Sequence, residues 1–231
     1  MDLKVKYGMR VNILRKIITR ATAAALAVFI FALSLIFVGC SSYIRYPVRF
    51  FIVGKETENS YQSEQLTQNY ILYGGAGYLL NCQDKNLAVA ACYLNKGEAL
   101  DFAALYNSIG VEADVITAER VHFPLTTYYS QNNSRLFEKN ISNLYLAARQ
   151  LVSCSAALQS SFGADVRGGL KEVYSLLTEM VSENAANCFT SPLSRLISLC
   201  GDLCFSAVVL PREIKYVQAA VVDVILNITL C

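Results

Sequence analysis

The sequence predicts an α+β fold: a β-α-β-β-α-β unit followed by an all-α helical bundle, with a membrane-directed segment ahead of both. Three observations predict it. Short runs rich in β-branched, aromatic and small apolar residues, at 48–53, 78–82, 87–93 and 111–117, are bounded by glycine or turn residues. Two helix starts between them carry an Asn followed three residues later by Gln or Glu, at Asn59/Gln62 and Asn95/Glu98. After residue 133 the apolar positions switch to helical spacing, and Pro192 and Pro211 stand where a first helical residue is expected.

Residues 48–53 read as a buried strand that stops at Gly54. Asn59 opens a helix in which Ser63, Leu66, Tyr70 and Tyr73 recur at helical spacing, and Gly74-Gly75 ends it by supplying positive φ. A short strand at 78–82, a turn at 83–86 and a strand at 87–93 follow. Asn95 caps a second helix with Ala99, Phe102, Ala103 and Tyr106 on one face, and Gly110 closes it. Val111, Ala113, Val115 and Thr117 alternate along the last strand. This order makes a split βαβ (ferredoxin-like) sheet over residues 46–118, covered on one face by two helices and open on the other. Tyr and Phe on an open face can stack against sugars or bases.

Residues 119–133 read as a polar linker. The bundle occupies 134–231: helices from 133 or 134 to 160, from 165 to 184, from Ser191-Pro192 to 208, and from Leu210-Pro211 to 228. The last is apolar enough to be the central helix, although Gln218 and Asp223 speak against a second membrane span. Glu172, Glu179 and Glu183 fall at helical spacing on a solvated face.

Charge is unevenly placed. Six of the twenty Lys and Arg, but one of the eighteen acids, precede the apolar run, so the chain after Cys40 carries fourteen bases against seventeen acids. That balance speaks against nucleic acid as a partner. The basic segment 1–20 and the uncharged stretch 21–44 together predict an outward-facing protein of the cell membrane, by one of two routes. One is an uncleaved single-pass anchor with its N-terminus inside. The other is a lipoprotein signal, because Val38-Gly39 before Cys40, with Ser41 and Ser42 after it, resembles a bacterial lipobox in which Cys40 is lipidated.

The eight cysteines lie mostly in apolar runs and read as small core hydrophobes. Cys200 and Cys204 share a helix face but have no second pair, and the chain has one histidine, His122, so no metal site, cofactor site or catalytic triad is expected. The expectation is a non-enzymatic binding protein.

The stretches Phe51-Ile-Val-Gly54, 87–93, 95–105 and Gly110-Val-Glu-Ala-Asp-Val115 resemble the SPOR domain (sporulation-related repeat) of bacterial envelope proteins. The resemblance covers 46–118. It implies the same β-α-β-β-α-β fold and binding of peptidoglycan glycan strands through the sheet face away from the helices, in sporulation or cell division. Matched position by position, it puts the ligand-facing residues at Phe50 and Ile52 on the first strand and at Ala88 and Ala90 on the third. The family usually has a polar residue, often Gln, where this chain has Ile52, and often Gly near Cys92. A face of Ile52, Ala88 and Ala90 therefore also fits a second reading, an envelope scaffold whose α+β domain pairs with protein through its open sheet or edge strands. In both readings the helical domain recruits a protein partner.

Overall fold

The first strand of the computed structural model, β1, is Tyr43–Thr57, followed by helix α1 at Ser60–Leu72 and strands β2 at Tyr78–Cys82 and β3 at Lys85–Tyr93. Helix α2 is Lys96–Ser108 and strand β4 is Asp114–Pro124. The structure describes residues 43–82, 85–124, 131–161, 164–183 and 190–228. The apolar stretch 21–44 falls almost wholly outside these, and Cys40 outside them altogether. Among the described residues no helix is long and apolar enough to cross a membrane.

The four strands form one antiparallel sheet in the order β2-β3-β1-β4, the split βαβ arrangement expected from the element order. Both Asn caps form. Gln62 N donates to Asn59 Oδ1 at 2.9 Å, and Gly97 N donates to Asn95 Oδ1 at 2.7 Å. Gly74, Gly77 and Gly110 all have positive φ, and the turn after α1 depends on Gly77, where an added Cβ would strike the Ile71 side chain and Thr67 O.

Two strands run further than their apolar runs indicate. β1 begins at Tyr43 and β4 continues to Pro124, the two pairing from Tyr43↔Pro124 to Gly54↔Asp114. Residues 119–124 are thus strand rather than linker. Arg45, Arg49, Glu119 and His122 mask this in the sequence because one side of the β1–β4 ribbon is exposed there. Residues 111–113, expected as strand, are instead an irregular connection held by the Asn107 amide, which donates to Ala113 O at 2.8 Å and accepts from Ala113 N at 3.1 Å.

Four helices follow: α3 at Gln131–Ser160, α4 at Arg167–Glu183, α5 at Thr190–Phe205 and α6 at Pro211–Asn227. Each packs on the next, and α6 returns to α3, closing a four-helix bundle. Leu210 N donates to Glu213 Oε2 at 2.8 Å, and Pro211 takes the first helical position of α6. α6 is buried from Ile214 to Ile225 except at Tyr216, Asp223 and Val224, which makes it the central helix. On the solvated side of α4, Lys139 bridges Glu179 at 3.2 Å and Glu183 at 2.7 Å.

Sheet and bundle do not make two separate domains. Tyr43–Cys231 is one unit, and a single apolar cluster runs from Val48, Phe50 and Ile52 on β1 through Leu144 and Leu151 on α3 to Val221 and Ile225 on α6. The other face of the sheet has its own smaller cluster under α1 and α2, made of Val53, Tyr70, Ala88, Ala90, Ala99 and Tyr106 with their neighbours.

Candidate functional site

The sequence points to the sheet face away from α1 and α2, and the structure fills that face with helix. α6 crosses β2 and β3, and α3 lies against β1. Phe50 and Ile52 do point to this side, but they are 1% and 0% exposed. The Phe50 ring packs on Tyr145 of α3 with centroids 5.7 Å apart.

Ala88 and Ala90 are also fully buried, and they belong to the opposite face, under α1 and α2. A β-bulge is the reason. Val53 pairs with Ala91 but Gly54 pairs with Val89, so Ala90 is an extra residue on β3 and the in-out alternation shifts by one beyond it. Cys92 stays on the bundle side opposite Ile52, while Ala90 and Ala88 turn to the helices. The bulge is fixed from two sides. Ala76 N donates to Ala90 O at 2.7 Å, and an added Cβ on Gly54 would collide with Ala88 O. The four residues therefore share no surface and expose none. Cys40, the proposed lipidation site, lies outside the described residues.

What meets the sheet face is a row of polar side chains on α6, bonded to the strands or, for Lys215, to the turn that leads into β2. Lys215 Nζ donates to Gly74 O at 2.9 Å, and Gln218 Nε2 donates to Cys92 O at 2.5 Å. Tyr78 Oη donates to Asp223 Oδ2 at 2.6 Å, and Asn227 Nδ2 donates both to Asn81 O and to Asp223 Oδ1 at 2.6 Å. In the other direction, the Arg120 guanidinium of β4 donates to the carbonyls of Ile225 (3.2 Å) and Leu226 (2.7 Å) at the C-terminal end of α6. Backbone groups that a flexible ligand would otherwise satisfy are thereby satisfied within the chain.

Two of the clefts beside α6 are lined by these polar side chains. One, of about 320 Å³, is lined by Tyr78, Arg195, Asp223 and Asn227. Burial, then the bond to Asp223, pushes the Tyr78 phenol well above its usual range, so it acts there as a donor. The other, of about 480 Å³, opens between α2, α3 and α6, with Tyr93, Phe102 and Leu105 on one wall and Val152 and Ala156 on the other. Lys215 and Gln218 line it from within, each 3% exposed, and Glu98 and Asp101 line it from the exposed side of α2. Lys215 Nζ sits 4.3 Å from the centre of the Phe102 ring, and burial lowers its pKa to about 8.

The four cysteines whose side chains are described lie in the interior. Cys92, Cys154, Cys200 and Cys204 are free and buried, and burial pushes the Cys200 thiol up to about 12. Among the described residues no group of three His, Cys, Asp or Glu could hold a metal ion.

Sequence reasoning missed Lys215, Tyr78 and Asn227, and weighed Gln218 and Asp223 only against a membrane span. The available signal was four polar residues punctuating an otherwise apolar helix, since a central helix spends such residues only on specific partners. No family model, curated protein or solved structure matches the chain.

Proposed function

We propose that the protein is a non-catalytic, membrane-tethered scaffold of the bacterial cell envelope that works through contacts with other proteins rather than by holding peptidoglycan glycan on its sheet. The tether is the apolar stretch 21–44. The observation that carries the reading is the burial of Phe50 and Ile52 beneath α3 and α6. A glycan strand needs hydroxyl partners and stacking surface on an exposed face. Here the corresponding face is apolar interior, and α6 bonds to the carbonyls around it. The β-α-β-β-α-β framework that the SPOR resemblance implies is kept, without the sugar-facing surface.

The sheet still ends in β4, eleven residues long and paired on one side with β1. A terminal strand offers backbone donors and acceptors to an added strand, which is the mode of protein recognition a covered sheet retains. The test has two arms. Purified chain is sedimented with intact sacculi and with amidase-treated sacculi, and it is expected to stay in the supernatant in both. Co-sedimentation with the amidase-treated material would restore the glycan reading and overturn this one. In cells, a photo-crosslinking residue at Thr117 on β4 should give discrete protein adducts while one at Glu64 on α1 does not. Equal adducts from both positions would remove β4 as the contact.

A further inference from the structure

The cleft between α2, α3 and α6 is a groove walled by two helices. Its α2 wall is Glu98, Asp101, Phe102 and Leu105, residues at i, i+3, i+4 and i+7. On α3 the same spacing recurs in Val152, Ser155, Ala156 and Gln159. Each wall is therefore a single stripe two turns long, roughly 10 Å. The floor is the end of β3 with Lys215 and Gln218 of α6.

The two walls differ in bulk. On α2, Leu105 is 57% exposed, and the Phe102 ring packs against Tyr93 with centroids 5.6 Å apart. On α3 the side chains are short, Ser155 and Ala156 above all, which leaves a groove of about 480 Å³ for larger side chains from outside. Both walls are helices whose backbone groups bond within themselves, and at the floor Gln218 takes Cys92 O at 2.5 Å. Such a surface suits an occupant that satisfies its own backbone, as a helix does, rather than an extended peptide.

Charge on the rim selects among helices. Glu98 and Asp101 are both exposed and stand one turn apart, and among the described residues neither has an ion pair. The residues facing them from α3 are neutral. Lys215 on the floor does not offset the two acids, since it is 3% exposed, bonded to Gly74 O, and lowered in pKa by burial alone.

We infer that this groove binds an amphipathic basic helix of a partner protein, with apolar side chains between Leu105 and Ala156 and lysines or arginines at Glu98 and Asp101. The site is separate from β4, so either contact can fail while the other stands.

The test uses the full chain and a helix-forming probe peptide of about 14 residues, built from leucine and lysine with one photoreactive leucine. Cross-links located by mass spectrometry should fall on 98–105 and 152–159, the two walls. A leucine–glutamate peptide of the same pattern should label them at least about tenfold less. Glu98→Gln with Asp101→Asn, a surface change that leaves the interior intact, should weaken labelling about fivefold. Ala156→Phe, at an exposed position, fills the groove and should abolish labelling. Glu58→Gln with Glu64→Gln removes the same charge at the start of α1 and should leave it unchanged. The inference is overturned by labelling spread over the surface, by equal labelling with the glutamate peptide, or by an equal loss in the Glu58/Glu64 pair. Self-association of the chain that Ala156→Phe abolishes would assign the groove to a second copy and overturn it as well.

Discussion

The two faces of the sheet are covered by different means. One lies under α1 and α2, helices that the strands themselves are threaded between, and its contacts are small: Ala88, Ala90, Ala99 and Ala103 beneath Tyr70 and Tyr106. The two tyrosine rings meet edge-on at 5.6 Å, and their hydroxyls donate to Glu112 O at 2.7 Å and Tyr73 O at 3.0 Å. The other face lies under α3 and α6, which enter from well over a hundred residues downstream in places, and its contacts are large: Val48, Phe50, Ile52, Leu80 and Val89. Helices threaded between strands can approach closely over alanine. A separate helical layer must be held off by larger side chains and fastened by specific polar bonds. The first face is complete within residues 51–115, whereas the second depends on the C-terminal half.

The largest effect should come from removing that half. A chain ending at residue 124 would leave Phe50, Ile52, Leu80 and Val89 uncovered, and it is expected to be aggregated or unfolded, read by loss of the cooperative transition in circular dichroism. A soluble, cooperatively melting fragment would mean that the sheet face tolerates water after all.

Point changes sharpen the contrast. Phe50→Ala should cost about 3–5 kcal/mol by denaturant titration, since it empties a large volume beneath Tyr145. On the alanine face the opposite change is the harmful one. Ala90→Leu should cost roughly 1–3 kcal/mol, because the added carbons have no room beneath closely packed helices.

The fastening of α6 also has a pH signature. The folded-state pKa of Lys215, about 8, is below its unfolded value, so between about 8 and 10 the unfolded chain binds the proton that the folded one has released. Stability should therefore rise with pH across this window, by an amount of order 2 kcal/mol, and Lys215→Met should flatten the rise. Above about 10 the buried phenols of Tyr70 and Tyr78, held up chiefly by burial, act in the opposite sense. Tyr78→Phe is the mildest of these changes, about 1 kcal/mol, because Asp223 keeps its bond from Asn227.

Most of the local architecture was legible in the sequence. Asn59, Asn95, Gly74, Gly110 and Pro211 act through their own backbone neighbourhood, so their meaning does not depend on the rest of the chain. The candidate ligand face was not legible, for two physical reasons. The bulge at Ala90 changes which way two residues point without changing the apolar run that contains them. The cover on the other side is a long-range event: Ile52 reads as a residue on an open face until α6 is known to lie across it. Its apolar character, at a position where the resembling family carries a polar one, was the sign of interior. Lys215 illustrates the converse, since a lysine near a helix start reads as solvated and only tertiary packing buries it.

Whether the sheet face is covered can be read at Cys92, a native probe on β3 opposite Ile52 and beneath Gln218. It is 1% exposed, and burial raises its thiol pKa well above the usual range. Thiol labelling of the folded chain, resolved to individual cysteines by mass spectrometry, should leave Cys92 unmodified at pH 8 and modify it at the rate of global unfolding as denaturant is added. Prompt labelling of Cys92 under native conditions, with the circular dichroism spectrum unchanged, would show that the face is open and would contradict the account.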